Sequence, residues 1–297
     1  MKKEIVRIAN GIYRITTLGE RWYAREVLSP GTGLPEFQFF PSTTWIAGCY
    51  PKGIGYFKWL AEHGWDEAEA LKNAAGEKGS KVHYACTDVD LGRPINIQET
   101  KYENPSTKQM ETLGPEEIEC VSSYIDFVDE YQPVMLANEI TGFSDISGGT
   151  VDKIFAVANK LAPQVRQIWI LDIKTSKYIW ESHKLQISDY SHMNIDYKKL
   201  GITEEEWAGR KLFILQVGYK LNKAGYKLTE IEDCYDDFRN VAYRIWQKEN
   251  PNARPKEAEY PLILQSNIRV AQVKKEDEEV VEEVAKEKVG VKKVKKT

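Results

Sequence analysis

The apolar positions of this chain change period several times, and each change marks an element. "EIVRIANGIYRI" alternates apolar and polar residues on both sides of Asn10-Gly11, the pattern of two strands joined by a tight hairpin turn. A turn-rich stretch, "LSPGTGLPEF", leads into "FFPSTTWIAG", where Ser42, Thr43 or Thr44 caps a helix containing Trp45 and Ile46. "GYFKWLAEHGW" and "DEAEALKNAAGEKGSKVHYAC" predict two helices. On the second, Ala75, Gly79 and His83 follow at four-residue steps and share one face. Small residues beside a histidine let such a helix approach its neighbour closely. Residues 92–115, with Pro94, Pro105 and Pro115, read as loop, and "PEEIECVSSYIDFVDEY" has helical spacing at Ile118, Val121, Ile125 and Val128.

Three strand patterns follow: "PVMLANEI", "GGTVDKIFAVA" and "QIWILDIKTS". "WESHKLQISDYSHMN" predicts a helix with Ser182, Gln186 and Tyr190 on one stripe, and "RKLFILQVGY" another strand. "LTEIEDCYDDFRNVAYRIWQKE" predicts a long helix ended by Asn250-Pro251. From about Lys274 the aromatics stop and an acidic block precedes a basic one, the composition of a solvated tail.

In the third strand Ile168, Ile170, Asp172 and Lys174 share one face, and Trp169, Leu171 and Ile173 the other. Both faces are apolar until the end, as in a strand covered on both sides. Asp172 and Lys174 therefore project together from the rim of a buried sheet. In the preceding strand Asp152 follows Gly148-Gly149 and shares a face with Thr150 and Ile154. If the two strands are neighbours through "NKLAPQVR", Asp152 and Asp172 approach closely. Two such carboxylates repel unless a cation lies between them or one is protonated. An oxygen-rich pair suits Mg²⁺ or Mn²⁺, and the lysine can hold a water or steady charge on a phosphate. Taken alone, the same residues also fit a strand end whose lysine reaches water, and His83 fits a satisfied core histidine.

Composition bounds these readings. The 297 residues can bury a sizeable core, and the formal net charge of −4 leaves room for a local basic groove, though not for wholesale nucleic-acid coating. Cys49, Cys86, Cys120 and Cys234 are scattered, with no CxxC, so no zinc or iron–sulfur site is expected. Single thiols and an N-terminus that reads as a strand fit a cytoplasmic protein, and no stretch is apolar enough for a membrane span.

"GTVDKI", then "LDIKTSK" twenty positions on, then "KLQISDY" resemble the PD-(D/E)xK nuclease superfamily, most closely its RecB-like branch with the lambda-type exonucleases. "AAGEKGSKVHYAC" is similar to that branch's Gly-x-x-x-His helix, and "FFPSTTWI" and "YFKWLAEHGWDEAEA" to the lead-in of its phage members. The likeness runs from about Phe40 to Tyr190. It implies a restriction-endonuclease-like α/β core, a mixed central sheet flanked by helices, with a helical N-terminal wall over the site. It implies segments at 1–40 (hairpin and lead-in), 41–270 (nuclease domain) and 271–297 (charged tail). By this likeness Asp152, Asp172, His83 and the Ile173 carbonyl would hold Mg²⁺ or Mn²⁺, and Lys174 would be the catalytic lysine. Gln186 and Tyr190 would support the site or touch DNA, and Glu139 stands where the family often has a glutamate. Lys153 and Lys177 flank the site and either contact phosphate or sit solvated. One position departs from the family: Thr87 occupies the place of a glutamate often found four residues after the histidine, with Asp88 and Asp90 nearby.

The implied activity is an exonuclease acting on linear DNA ends in recombination, repair or phage DNA metabolism, in the cytoplasm of a bacterium or an infected host. A recombination protein or further copies of the chain would be its partners. Two other classes fit parts of the sequence: a nuclease-like module that binds DNA or protein without cutting, and an unrelated hydrolase using Asp152 and Asp172 as an acid pair. "GFSDISGG" is not a dinucleotide-binding fingerprint.

Overall fold

The computed structural model describes residues 4–255 apart from 10, 18, 19, 32, 160, 161 and 253, all within a compact unit spanning Met1–Glu257. The charged segment 271–297 lies outside the described residues. The first two alternating runs are β1 (Glu4–Ala9) and β2 (Ile12–Thr17). Ala9 pairs with Ile12, and Gly11 takes φ +68°, the left-handed conformation that a two-residue hairpin requires. Two further strands, β3 (Glu20–Leu28) and β4 (Pro35–Pro41), extend this hairpin to a four-stranded antiparallel sheet. The expected N-terminal wall is therefore half sheet, not wholly helical. "ERWYAREVL" hides its strand because four charged residues interrupt the apolar alternation.

Ser42 caps α1 (Thr43–Gly48) by accepting the Trp45 N–H. The two expected helices form one element, α2 (Ile54–Asp90), broken at Gly64 by φ 73° and ψ 170°. Within the expected loop, β5 (Lys101–Glu103) and β6 (Met110–Thr112) form a short hairpin. α3 (Pro115–Tyr131) begins with proline, and the Glu117 carboxylate accepts the Gly114 N–H at 2.7 Å.

β7 (Val134–Phe143), β8 (Gly148–Asn159) and β9 (Ala162–Lys174) form an antiparallel meander. α4 (Glu181–Ser191) crosses over to β10 (Lys211–Val217), parallel to β9, and β11 (Tyr226–Ile231) closes the edge antiparallel. Strand order is thus β11-β10-β9-β8-β7, a mixed sheet. The long helix expected from Leu228 is corrected at its start. Tyr226, Leu228 and Ile231 lie on a strand, and the helical stretch opens only at Tyr235, as α5 (Tyr235–Asp237), a π turn (Phe238–Ala242) and α6 (Tyr243–Glu249).

Strand alternation divides the core into two layers. Trp169, Leu171 and Ile173 pack with Phe155, Phe213 and Leu215 against Val82, Ala85 and Cys86 of α2 and Tyr124 and Phe127 of α3. Ile168 and Ile170 pack with Ile154 and Ile214 against Ile187 and Tyr190 of α4. Each buried aliphatic contributes about 1.5–3 kcal/mol against exposure, so both layers hold the central strands firmly. A third cluster joins the N-terminal sheet to the C-terminal helix through Trp22, Trp45 and Trp246, whose rings lie 5.4–5.7 Å apart. No helix among the described residues is long and apolar enough to cross a membrane.

A candidate metal centre at the ends of β8 and β9

β8 and β9 pair with Lys153 opposite Leu171, so one step further along the register Asp152 faces Asp172. The Ile173 N–H donates to Asp152 Oδ2 at 2.9 Å. From the other side of the sheet α2 brings in His83. Its Nε2 lies 2.9 Å from the Ile173 carbonyl oxygen and its Nδ1 3.4 Å from Asp152 Oδ2. Gly79, one turn earlier on the same face, meets the strand end as well: a Cβ there would lie 3.7 Å from Thr175 Oγ1, an ordinary contact. β7 supplies Glu139, placed opposite Asp152 by the β7–β8 register after a bulge near Leu136. One ligand atom each from His83, Glu139 and Asp152 falls within a 4.8 Å group.

Glu139 carries two costs. Its φ is +53°, a left-handed conformation unfavourable for a residue with a Cβ. Its side chain is open to solvent on one side, yet protein around the carboxyl raises its pKa, with Asp152 repulsion adding to that and His83 opposing it.

Asp172 stands across from this trio. Burial pushes its carboxyl up to about 6; Lys174 opposes the shift and Asp152 adds to it. Its Oδ2 lies 2.6 Å from the Lys174 ammonium, which keeps partial access to solvent. Gln186 ties these groups together. Its Nε2 donates to Asp172 Oδ1 at 3.3 Å and to the Tyr190 hydroxyl at 2.7 Å, while its Oε1 accepts from Lys174 at 3.3 Å. Tyr190 is buried, against the glycine pair: a Cβ on Gly149 would lie 2.7 Å from its ring and 2.8 Å from Thr43 Oγ1. It supports the site and does not offer a surface to DNA.

Lys153 corrects the sequence reading. Its side chain is 1 % exposed and its ammonium lies 2.5 Å from Asp90 Oδ2, 2.7 Å from Asn138 Oδ1 and 3.3 Å from Thr87 Oγ1. It is an internal cation, facing the α2–α3 layer, and cannot reach a phosphate. Strand alternation already implied this, since Lys153 must face away from Asp152. Thr87 and Asp90 are thereby accounted for, because Asp90 also accepts the Tyr124 hydroxyl at 2.7 Å. Asp88 accepts the Tyr102 hydroxyl at 2.9 Å, so neither aspartate joins the trio. Lys177 is exposed at the rim, its ammonium 5.3 Å from the Tyr178 ring centre.

Three features were missed from the sequence. Asn138, one residue before Glu139, bonds to Lys153. His183, close to Lys174 and Lys52, is pushed down to about 3, chiefly by burial and then by those two cations, so it is a neutral imidazole beside the site. Asp189, fully buried, accepts Thr43 Oγ1 at 2.6 Å and the Ser147 hydroxyl, and burial pushes it up to about 6. These bonds, with a bridge between Ser42 and Gly148, pin the "PSTT" lead-in to the start of β8.

The donor set of one imidazole, two carboxylates and a carbonyl oxygen suits a hard divalent ion better than a soft one. Two donors each about 2.1 Å from one ion at a right angle lie about 3.0 Å apart, and the 2.9 Å between His83 Nε2 and the Ile173 oxygen suits that arrangement as well as a hydrogen bond. Comparisons with protein-family models, with curated proteins and with solved structures found no match.

Proposed function

We propose that this chain is a divalent-metal-dependent nuclease of the PD-(D/E)xK kind, an exodeoxyribonuclease of the RecB-like branch. The observation that carries the reading is the convergence of His83, Glu139 and Asp152 within 4.8 Å at a strand end whose neighbour presents Asp172 and Lys174. Crowding like charges costs energy unless a cation is taken up there. A mixed sheet flanked by helices is the architecture the resemblance implies.

His83, Asp152, Glu139 and the Ile173 carbonyl would hold Mg²⁺ or Mn²⁺, with Asp172 as the adjoining acid. Such an ion, when bound, lowers the pKa of water and offsets charge on a phosphodiester. Lys174 is kept in place by Asp172 and Gln186 while its ammonium retains access to solvent, so it can donate to a phosphate oxygen as negative charge builds there. Gln186 uses both amide protons and its carbonyl on site residues, and so sets the angle between acid and lysine.

The test is digestion of end-labelled linear and closed circular DNA with Mg²⁺ or Mn²⁺, beside an EDTA lane and Lys174→Ala. Metal-dependent loss of linear DNA, absent in the variant, is expected. Digestion unaffected by EDTA, or undiminished in Lys174→Ala, would refute the reading. Cutting of circles would keep the site and change the mode to endonuclease.

A further inference from the structure

Both ends of the segment 52–78 are anchored at the candidate site, and almost nothing between them is packed. Before it, Cys49 and Tyr50 join the cluster that contains Leu185, the residue preceding Gln186. After it, Gly79 meets Thr175 and His83 meets Ile173. Between these feet the chain runs out along residues 54–63, breaks at Gly64 and returns along the rest of α2. Of residues 52–78, only Ala68 is buried. His63 pairs with Glu67 at 2.9 Å across the break, which fixes the bend.

The outgoing helix is rich in aromatic residues, with Lys58 set among them. Tyr56, Trp59 and His63 form a ladder with ring centres 6.0 and 5.5 Å apart, and Phe57 lies 5.6 Å from Tyr56. Phe57 is 53 % exposed and Ile54 72 %. Lys58 beside them and Lys52 at the foot are exposed too. Glu62 is the one acid before the break, and Asp66, Glu67 and Glu69 all follow it, so the stretch 52–63 carries two lysines against one acid. A projecting apolar face of this kind marks a binding surface. Duplex DNA keeps its base faces stacked away from such rings, whereas an unpaired strand offers bases to stack and phosphates to the lysines.

We propose that this arm binds unpaired nucleotides through Tyr56, Phe57 and Trp59, with Lys52 and Lys58 on the phosphates, and so selects single-stranded nucleic acid for the site beside it. The choice of substrate rests on the nuclease reading; the binding does not. The strand would stack along the outgoing helix and pass the foot at Lys52 toward Lys174.

Fluorescence anisotropy of a labelled oligothymidine, and of a blunt duplex of the same length, measured in EDTA, separates binding from cleavage. Wild type should prefer the single strand. Phe57→Ala should weaken that binding about 5- to 150-fold, as loss of one stacked base does, with little change for the duplex. Lys58→Ala should lower the salt slope by about 0.7. Phe57 is exposed, so an unchanged circular dichroism spectrum is expected and makes the loss interpretable. Equal binding of duplex and single strand, or unaltered affinity in Phe57→Ala, overturns the proposal and leaves the nuclease reading standing. If Phe57→Ala instead turns a dimer into a monomer in sedimentation without changing strand binding, the face joins two copies and the proposal fails. Phe57-dependent strand binding by a protein that digests nothing would sink the nuclease reading and keep the arm.

Discussion

The internal pair Lys153–Asp90 offers the sharpest test of how the site is held. The side chains are 1 % and 3 % exposed and the charged atoms 2.5 Å apart. Replacing Asp90 with asparagine leaves an ammonium in the core with only Asn138 and Thr87 for company. Removing one partner of a buried pair costs about 3–5 kcal/mol, because the remaining charge has no counter-charge. The two neutral oxygens soften this toward about 3 kcal/mol. With a urea slope of about 3 kcal/mol/M, the midpoint should fall by about 1 M. The double change Asp90→Leu with Lys153→Met removes both charges and should recover most of the loss, since a buried pair is often no better than apolar residues of similar volume. Urea titration followed by tryptophan fluorescence measures all three proteins. A fall below about 0.3 M for Asp90→Asn would mean that Lys153 finds water or another partner and is not an internal cation. The same variants also separate stability from function. Asn138, Lys153 and Thr87 each lie one residue or one turn from Glu139, Asp152 and His83, so the refolded double variant should still bind Mn²⁺ about 10- to 100-fold more weakly, as for lost supporting bonds around metal ligands.

Three further outcomes are expected. Gly149→Ala forces a Cβ to within 2.7 Å of the Tyr190 ring; overpacking of this kind costs about 1–3 kcal/mol, and an unchanged melting temperature would contradict the close approach. Asp189 has its carboxyl pushed up to about 6 by burial, against Ser147 and Thr43 and the nearby His192, itself paired with Asp233. The folded state thus binds that proton more readily than the unfolded one, so this group's contribution to stability is fully present below about pH 4 and is lost as pH rises through about 6, by roughly 3 kcal/mol. Asp189→Asn should flatten that part of the slope in metal-free urea titrations, and an unaltered slope would refute the assignment. Glu139→Asn places a residue tolerant of positive φ at φ 53° and removes a negative charge beside Asp152; the metal-free melting temperature should rise while Mn²⁺ affinity drops, and a fall in both would mean that Glu139 is structural.

Much of the sheet was legible because its central strands obey one simple rule. "QIWILDIK" is apolar on both faces until its end, which requires a strand covered on both sides and puts Asp172 and Lys174 at the rim. The four-residue step from Gly79 to His83 likewise carried the approach of α2. Of the N-terminal sheet the hairpin of β1 and β2 was legible from its alternation, but β3 was hidden by charge where alternation should be apolar and β4 by the turn-rich stretch before it. β11 was lost for a different reason: "YKLTEI" runs directly into acidic, helix-favouring residues, and only pairing with β10 decides its state. Lys153 was misread although alternation pointed the right way, since its counter-charge stands 63 positions earlier (153 against 90) on another element. No local pattern announces a partner at that distance.

Several of the places where local rules fail lie together. A glutamate in left-handed backbone, a buried aspartate pushed up to about 6 and a carboxylate pair with histidine all occur at one end of β7, β8 and β9. Asp189, held only by hydroxyls, is a separate case on α4, and other buried charges are neutralised in place. Lys81, for example, meets Glu117 at 2.9 Å and Glu111 at 3.1 Å, so the two acids share a cation between them. A fold with two aliphatic layers clamping its central strands can tolerate several kcal/mol of local conflict. A site that must take up a cation gathers such conflict where the cation goes. The contrast between Lys81, neutralised in place, and Glu139 with Asp152, left repelling, argues for chemistry at this strand end independently of any resemblance.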